Sequence, residues 1–111
     1  MAGTAVTKKF ESKVQGGLLQ GWTFSLDPAS IAAAAQGIET VAIPGARSGD
    51  QCFLNVRTPE TNLIVQGAAV TADDVVSVYL CNNITVTTAL DGAARVYDLL
   101  ILKFAGGDVV A

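Results

Sequence analysis

Side chains that could do catalytic or metal-binding chemistry are few in this chain of 111 residues. Histidine is absent from the sequence, which removes the commonest general base and the usual zinc ligand. Asp73 and Asp74 are the only adjacent carboxylates, and they lie at a predicted turn, where neighbouring side chains point in different directions. We expect a solvated turn there rather than a catalytic or calcium-binding pair. We predict that the protein is not an enzyme and that it uses no metal or other cofactor.

The two cysteines, Cys52 and Cys81, each lie in a strand-like run. They could form a disulfide that links two strands, or they could be two reduced, small, buried residues of a protein folded in cytoplasm. Neither has a partner at metal-ligand or redox spacing, which favours the reduced pair. Without a nearby base, Cys52 is expected to be inert as a nucleophile.

A fibre or adhesion β-module that binds a host-surface glycan is the alternative function. Such a module would present aromatic residues beside Asp, Asn or Arg, and the candidate loops are Arg47–Asp50 and Thr58–Asn62. Trp22 and Phe24 could stack on a sugar, but aromatics at a period of two in an amphipathic strand are more often core. The low aromatic content, 6%, counts against this alternative.

The composition indicates a protein with part of its surface hidden in an assembly. Hydrophobic residues make up 50% of the chain and charged residues 15%, against about 25% charged in an average soluble protein. The net charge of −3 argues against binding to nucleic acid. No stretch approaches the roughly 20 apolar residues that span a bilayer, and Lys8, Lys9 and Glu11 interrupt any signal-peptide core.

Two segments, Val75–Asn82 and Arg95–Phe104, are apolar on both faces of a predicted strand. Their period of two and their β-branched and aromatic residues are typical of β-structure. An antiparallel strand with one face in water should be polar on that face. The second apolar face is therefore expected to be covered by another part of the fold or by another protein.

Turn signals every eight to twelve residues predict an all-β sandwich or barrel. Residues 1–16 are predicted to form a flexible N-terminal arm, because Lys8, Lys9 and Lys13 make them net positive. Residues 17–111 are predicted to form a β-sandwich domain.

The segment Ala29–Gln36 is open to two interpretations. Its alanine run after Asp27–Pro28 favours a short helix, whereas nine or fewer helical residues are marginal without tertiary support. The predicted strands are Gly21–Leu26, Ile38–Ile43, Gln51–Arg57, Leu63–Thr71 with a bulge at Gly67, Val75–Asn82, Thr85–Thr88 and Arg95–Phe104.

Three stretches together resemble a pattern of small phage structural proteins: VAIPGARSGDQCFLNV (41–56), LIVQGAAVTADDVVSVYLCNN (63–83) and ARVYDLLILKF (94–104). With the chain length and the basic N-terminal segment, the sequence is similar to the capsid cement, or staple, proteins of Epsilon15-like short-tailed phages. The resemblance implies a jelly-roll-like fold and an extended Ala29–Ile43. It also implies a location on the outer capsid surface after synthesis in the host cytoplasm. There the protein would clamp neighbouring major capsid subunits against the pressure of the packed genome.

A clamp needs surfaces for the capsid and for other copies of itself, and a homo-oligomer, with a dimer favoured, is expected. The charge of the N-terminal segment makes Lys8, Lys9, Phe10 and Lys13 the candidate capsid-binding residues. The two-faced strands make Tyr79, Tyr97, Leu99 and Ile101 the candidates for self-association. The opposing sheet or the Ala29–Gln36 segment could instead cover these residues within one chain, since closed sheets hide both faces in this way.

Overall fold

The computed structural model describes residues 5–14, 16–83 and 89–104, with the backbone alone at Phe104. These residues form an all-β sandwich of two antiparallel sheets, which confirms the predicted fold class. The strands are β1 Val6–Val14, β2 Gly17–Leu26, β3 Gln36–Ala42, β4 Gln51–Val56, β5 Leu63–Ala72, β6 Val75–Asn82 and β7 Arg95–Phe104.

The two sheets differ in width. The larger has the strand order β1-β2-β7-β4 and the smaller the order β3-β6-β5. Strands β4 and β5 lie side by side where the sheets meet, and β1 makes its contacts chiefly with β2. Strand β1 therefore extends beyond the edge of the smaller sheet, and most of its residues are exposed on both faces. We call this strand the β1 overhang.

The hydrophobic core lies between the sheets and comes from alternate residues of each strand. From the larger sheet it takes Trp22, Phe24 and Leu26 of β2, and the rings of Phe24 and Tyr97 stack with centroids 5.8 Å apart. Burial of these large side chains supplies most of the driving force for folding. The smaller sheet contributes chiefly Val41, Val76, Val78 and Leu80.

The prediction of a flexible arm over residues 1–16 is wrong for the part of the segment that the structure describes. Val6–Val14 pairs with β2 from Val6 opposite Phe24 to Val14 opposite Gly17, with one bulge between Lys8 and Phe10. Backbone pairing with β2 holds the strand even though most of its side chains are polar and all but Val6 are exposed. Because Val6–Val14 belongs to the larger sheet, it is part of the sandwich rather than of an arm. Residues 1–4 and 15 lie outside the described residues.

Ala29–Gln36 contains no helix, so the helical interpretation is wrong; Ile31 lies in an extended bridge, and a turn follows at Ala33–Ala34. Ile31 bridges to Leu90 through two backbone hydrogen bonds of 2.9 Å, and its side chain is buried in the core. Ala34 adopts a left-handed backbone conformation with φ of 55°, which a continuous helix does not allow. Tertiary contacts of Ile31 thus override the helix propensity of the alanines.

The other predicted strands agree with the structure to within a few residues. Val75–Asn82 and Arg95–Phe104 have the predicted bounds, and the register shifts beside Gly67, whose φ of 140° suits glycine. The predicted strand Thr85–Thr88 and the tail Ala105–Ala111 lie outside the described residues. No helix long and apolar enough to span a membrane occurs in the described part of the chain.

Candidate protein-interaction surfaces

Three of the four residues predicted to mediate self-association lie in the core instead. Tyr97, Leu99 and Ile101 are fully buried between the sheets, so the opposing sheet covers them and the alternative interpretation was right for this face. The apolar character of both faces of β7 is nevertheless real. Its second face carries the exposed Val96 and Leu100 and the half-buried Leu102 on the outside of the larger sheet.

An exposed apolar row crosses the outer face of the larger sheet. Phe10 of β1 lies opposite Gly21, Gly21 opposite Leu100, and Leu100 opposite Phe53 of β4. The exposed fractions are 44% for Phe10, 38% for Leu100 and 57% for Phe53. We call Phe10, Leu100 and Phe53 the outer row. Single exposed apolar residues are ordinary, but aligned ones that cross a whole sheet indicate a contact surface.

Glycine at position 21 lets the Phe10 ring approach the backbone of β2 closely. A Cβ built on Gly21 would come within 2.8 Å of Phe10 Cζ and closer still to two other ring carbons. The ring therefore occupies the space where any other residue would have its side chain. This contact joins β1 to the outer row and makes the row continuous from β1 to β4.

Charged residues border the outer row on one side. Arg57 donates from Nε and Nη2 to the two carboxylate oxygens of Asp98, each at 2.8 Å. This pairing, with smaller contributions from Thr23 and Lys9, lowers the pKa of Asp98. The outer face therefore has an apolar centre beside a polar, charged border, which is the usual anatomy of a protein interface.

The candidate capsid-binding residues lie together on β1 but face two sides of the sheet. Phe10 belongs to the outer row, whereas Lys8 lies on the core-facing side with Nζ 5.7 Å from the centre of the Trp22 ring. Lys8 Nζ also contacts Glu11 Oε1 at 3.0 Å, and Gln20 donates to the same oxygen at 2.8 Å. These bonds lower the pKa of Glu11. Lys9 and Lys13 are both exposed.

The outer face of the smaller sheet is almost free of charge. Glu39 is the only charged residue in strands β3, β5 and β6, and it lies in an edge strand where its carboxylate accepts from the Ala29 amide at 3.1 Å. Tyr79, the fourth self-association candidate, lies on this face opposite Ile38, which is 55% exposed. We call the outward side of these strands the uncharged face. Its main members are Gln36, Ile38, Thr40, Ile64, Gln66, Ala69, Tyr79 and Cys81.

The charged residues of the candidate glycan loop Arg47–Asp50 make hydrogen bonds that hold the loop in place. Arg47 Nη1 donates to Asp74 Oδ1 at 2.8 Å, and the Gly45 amide donates to the same oxygen at 2.7 Å. These two bonds lower the pKa of Asp74. Lys103 contacts both Asp50 Oδ2 and the Gly45 carbonyl oxygen. The carboxylates of this cluster fasten the loop to the β5–β6 turn and to β7, and the described residues contain no group of three or more potential metal ligands.

The second candidate glycan loop, Thr58–Asn62, is tied down in a similar way. Glu60 Oε1 accepts from Arg95 Nη2 at 3.3 Å and from the Ala93 amide at 3.0 Å. Strand β4 separates this loop from Arg47–Asp50 by its six residues, about 20 Å of extended chain. The two loops therefore lie at opposite ends of the sandwich and do not combine into one glycan site.

Both cysteines are free thiols that lie on different sides of the molecule. Cys52 of β4 packs against the core, and burial raises the pKa of its thiol. Cys81 of β6 lies opposite the exposed Gln36 and Ile64 on the uncharged face. The hypothesis of a disulfide between the two strands is therefore wrong for this structure.

Sequence reasoning missed Phe53 and Leu100 as surface residues. Phe53 was visible as the apolar member of a set that otherwise holds Asn55 and Arg57. That alternation predicts an exposed face, so a phenylalanine within it was the available signal.

Comparisons of the chain with known protein families, with curated proteins and with solved structures found no match.

Proposed function

We propose that the protein is a virion structural protein that binds the outside of an icosahedral capsid and clamps neighbouring major capsid subunits against internal genome pressure. The sequence resemblance to phage cement proteins supplies the class of partner. The outer row is the observation that carries the proposal physically. Its apolar side chains lie on one rigid face and have no cover within the described residues of the chain.

A clamp must hold two subunits in a fixed relation, which requires rigid elements at the contact. The outer row satisfies this requirement because its residues belong to three strands of one hydrogen-bonded sheet. Phe10 is fixed by Gly21, and Phe53 and Leu100 are directly opposite each other. Little conformational entropy is therefore lost when such a surface binds.

The β1 overhang supplies the basic part of the proposed contact. Strand β1 carries three lysines, Lys8, Lys9 and Lys13, and a single acidic residue, Glu11. The strand is therefore net positive, whereas the whole chain has a net charge of −3. The proposed capsid surface is apolar where it meets the outer row and acidic where it meets β1. Such complementarity would steer association and fix its orientation.

The uncharged face is the proposed surface for self-association, with a dimer favoured. Three strands at about 4.8 Å spacing and seven or so residues at about 3.3 Å each give a face of about 14 by 23 Å. That footprint is well below the roughly 800 Å² per partner of a standard interface. Dimers in free solution are therefore weak, and they become effective on the capsid because both copies are already anchored there.

The proposed location is the outer surface of the virion, reached after synthesis in the host cytoplasm. The described residues form seven strands in two sheets, and assignment to the jelly-roll class, which has eight strands, stays a prediction. The decisive experiment mixes the purified protein with empty capsids assembled without it and images the particles. Ordered density on the outside of the capsid would support the proposal. Bare capsids at low and physiological ionic strength would contradict it.

A further inference from the structure

Strand β1 has one edge with which no other described strand pairs. It is the last strand of the larger sheet and pairs only with β2 among the described residues. An edge strand presents unpaired backbone N–H and C=O groups that another extended chain can bind. Among the described strands β1 makes extensive contacts with β2 alone, so an added strand would meet little obstruction from the smaller sheet.

The charge of β1 defines what could bind there. Each copy carries Lys8, Lys9 and Lys13 against Glu11, so pairing two copies of β1 would bring six lysines together with two glutamates. Lysines on an edge strand disfavour such self-pairing. The same lysines favour a strand that carries carboxylates, since opposite charges on neighbouring strands stabilise the pair.

The register of β1 also defines the part of the edge that is most regular. The bulge interrupts pairing between Lys8 and Phe10, and from Phe10 to Val14 the strand pairs with β2 residue by residue. A bulge twists an edge and impedes addition of a strand at that point. The added strand is therefore expected to pair with the regular stretch from Phe10 to Val14, which has Lys13 near its end.

We propose that the free edge of β1 takes up an extended acidic segment of a partner protein as an additional strand of the larger sheet. This inference rests on the proposed function, because it names the kind of capsid-protein segment that β1 would bind. Backbone hydrogen bonds would provide the geometry of the contact, and the lysines would select the charge of the segment.

The test titrates the intact, isotope-labelled protein with a blocked peptide of alternating Glu and Val, and follows the backbone amides by NMR. The peptide has about eight residues, enough to cover the regular stretch from Phe10 to Val14. The expected result is protection from hydrogen exchange at alternate amides of Phe10–Val14, because every second residue of an edge strand directs its N–H outward. An equally long peptide of alternating Lys and Val is expected to give no protection.

Charge variants test whether the acidic peptide is selected by the lysines of β1 or by the positive charges of the protein in general. Replacing Lys8, Lys9 and Lys13 together by Gln should weaken binding of the acidic peptide about tenfold. Arg57→Gln is the control, because β4 lies three strand spacings from β1, about 14 Å, beyond the roughly 10 Å Debye length at 0.1 M salt. Arg57→Gln should change the affinity less than about twofold.

Two results would overturn the inference. One is binding of the acidic peptide without protection of any β1 amide, which would show charge attraction alone. The other is equal binding of the acidic and basic peptides. If either result occurs while the protein still binds empty capsids, strand addition is wrong and the proposed function stands. If the protein fails to bind capsids, the proposed function fails whatever the peptide does.

Discussion

The ring of Phe10 lies against the backbone of Gly21, in the space that a side chain at position 21 would fill. This contact fixes the aromatic ring of the overhanging strand to the sheet beneath it. It also explains how a polar, exposed strand is held without a core of its own. Strand β1 depends on its pairing with β2 and on a few such side-chain contacts.

Gly21→Ala should displace the Phe10 ring and lower the free energy of unfolding by about 1 kcal/mol, the value of a partly buried aromatic contact. Chemical denaturation measures this change. The same substitution in a Phe10→Ala background should cost almost nothing, because the ring is no longer there to be displaced. An equal cost in both backgrounds would show that the Phe10–Gly21 contact is not the cause.

Leu99 and Leu100 are adjacent in sequence and should respond very differently to truncation. Leu99 is fully buried, so Leu99→Ala should lower the free energy of unfolding by about 2–5 kcal/mol. Leu100 lies in the outer row, and Leu100→Ala should cost less than about 1 kcal/mol. Urea unfolding of the two variants checks this. Similar losses at both positions would contradict the assignment of the two faces of β7.

These two leucines also show how far the sequence could lead. The period of two in β7 and its two apolar faces were readable from the residue types alone. Asp98 shares a face with Val96, Leu100 and Leu102 and was the available signal that this face turns outward. The apolar residues alone do not distinguish the faces, because Tyr97, Leu99 and Ile101 are as apolar as Val96, Leu100 and Leu102. The choice is made by the opposing sheet, and pairing partners far apart in sequence are invisible to a local pattern.

Strand β1 and the segment Ala29–Gln36 also show that a local pattern does not reveal tertiary contacts. The lysines of β1 are typical of a solvated tail, and only the partner strand β2 makes the segment a strand. Ala29–Gln36 has local signals for a helix, which the buried side chain of Ile31 and its bridge to Leu90 override. The strands with clear alternation and turn signals, such as Gln51–Val56, were predictable because local pattern and tertiary burial agree there.

Acid should destabilise the protein through its ion-paired carboxylates. The pKa values of Asp74 and Asp98 are lowered from the ordinary value of 3.8 by hydrogen bonds from Arg47 and Arg57. A lowered pKa in the folded state gives stability that is present above the unfolded-state pKa and is lost as the pH falls through the folded-state pKa. Thermal unfolding temperatures should therefore begin to fall as the pH approaches the ordinary value of 3.8 and should keep falling below it.

The variant Asp74→Asn/Asp98→Asn provides the control for this acid effect. It removes both titrating groups and should show a shallower loss of unfolding temperature over the same pH range. A wild-type stability that stays constant or rises on acidification would contradict the prediction. So would an equally steep loss in the double variant.

Self-association should depend on the uncharged face. Ile38 and Ile64 are 55% and 47% exposed there, so Ile38→Lys and Ile64→Lys should leave the fold intact and abolish any concentration-dependent dimer, because buried lysines are costly to desolvate. Sedimentation equilibrium checks the oligomeric state, and circular dichroism checks the fold. Ser12→Lys on the exposed β1 is the matched control and should leave self-association unchanged. A dimer that survives both isoleucine substitutions would place self-association elsewhere.

Removal of residues 1–16 would not separate binding from folding, because it removes β1 and exposes the edge of β2. Point changes in the outer row avoid this problem. The most direct measurement of the central claim is co-sedimentation of the variant Phe53→Ser/Leu100→Ser with empty capsids, beside Ile38→Ser/Ile64→Ser on the opposite face as the matched control. We predict that the outer-row variant stays folded and no longer binds the capsids. The control should still bind them, with no greater loss of affinity than its weaker self-association causes. Full binding by the outer-row variant would contradict the account.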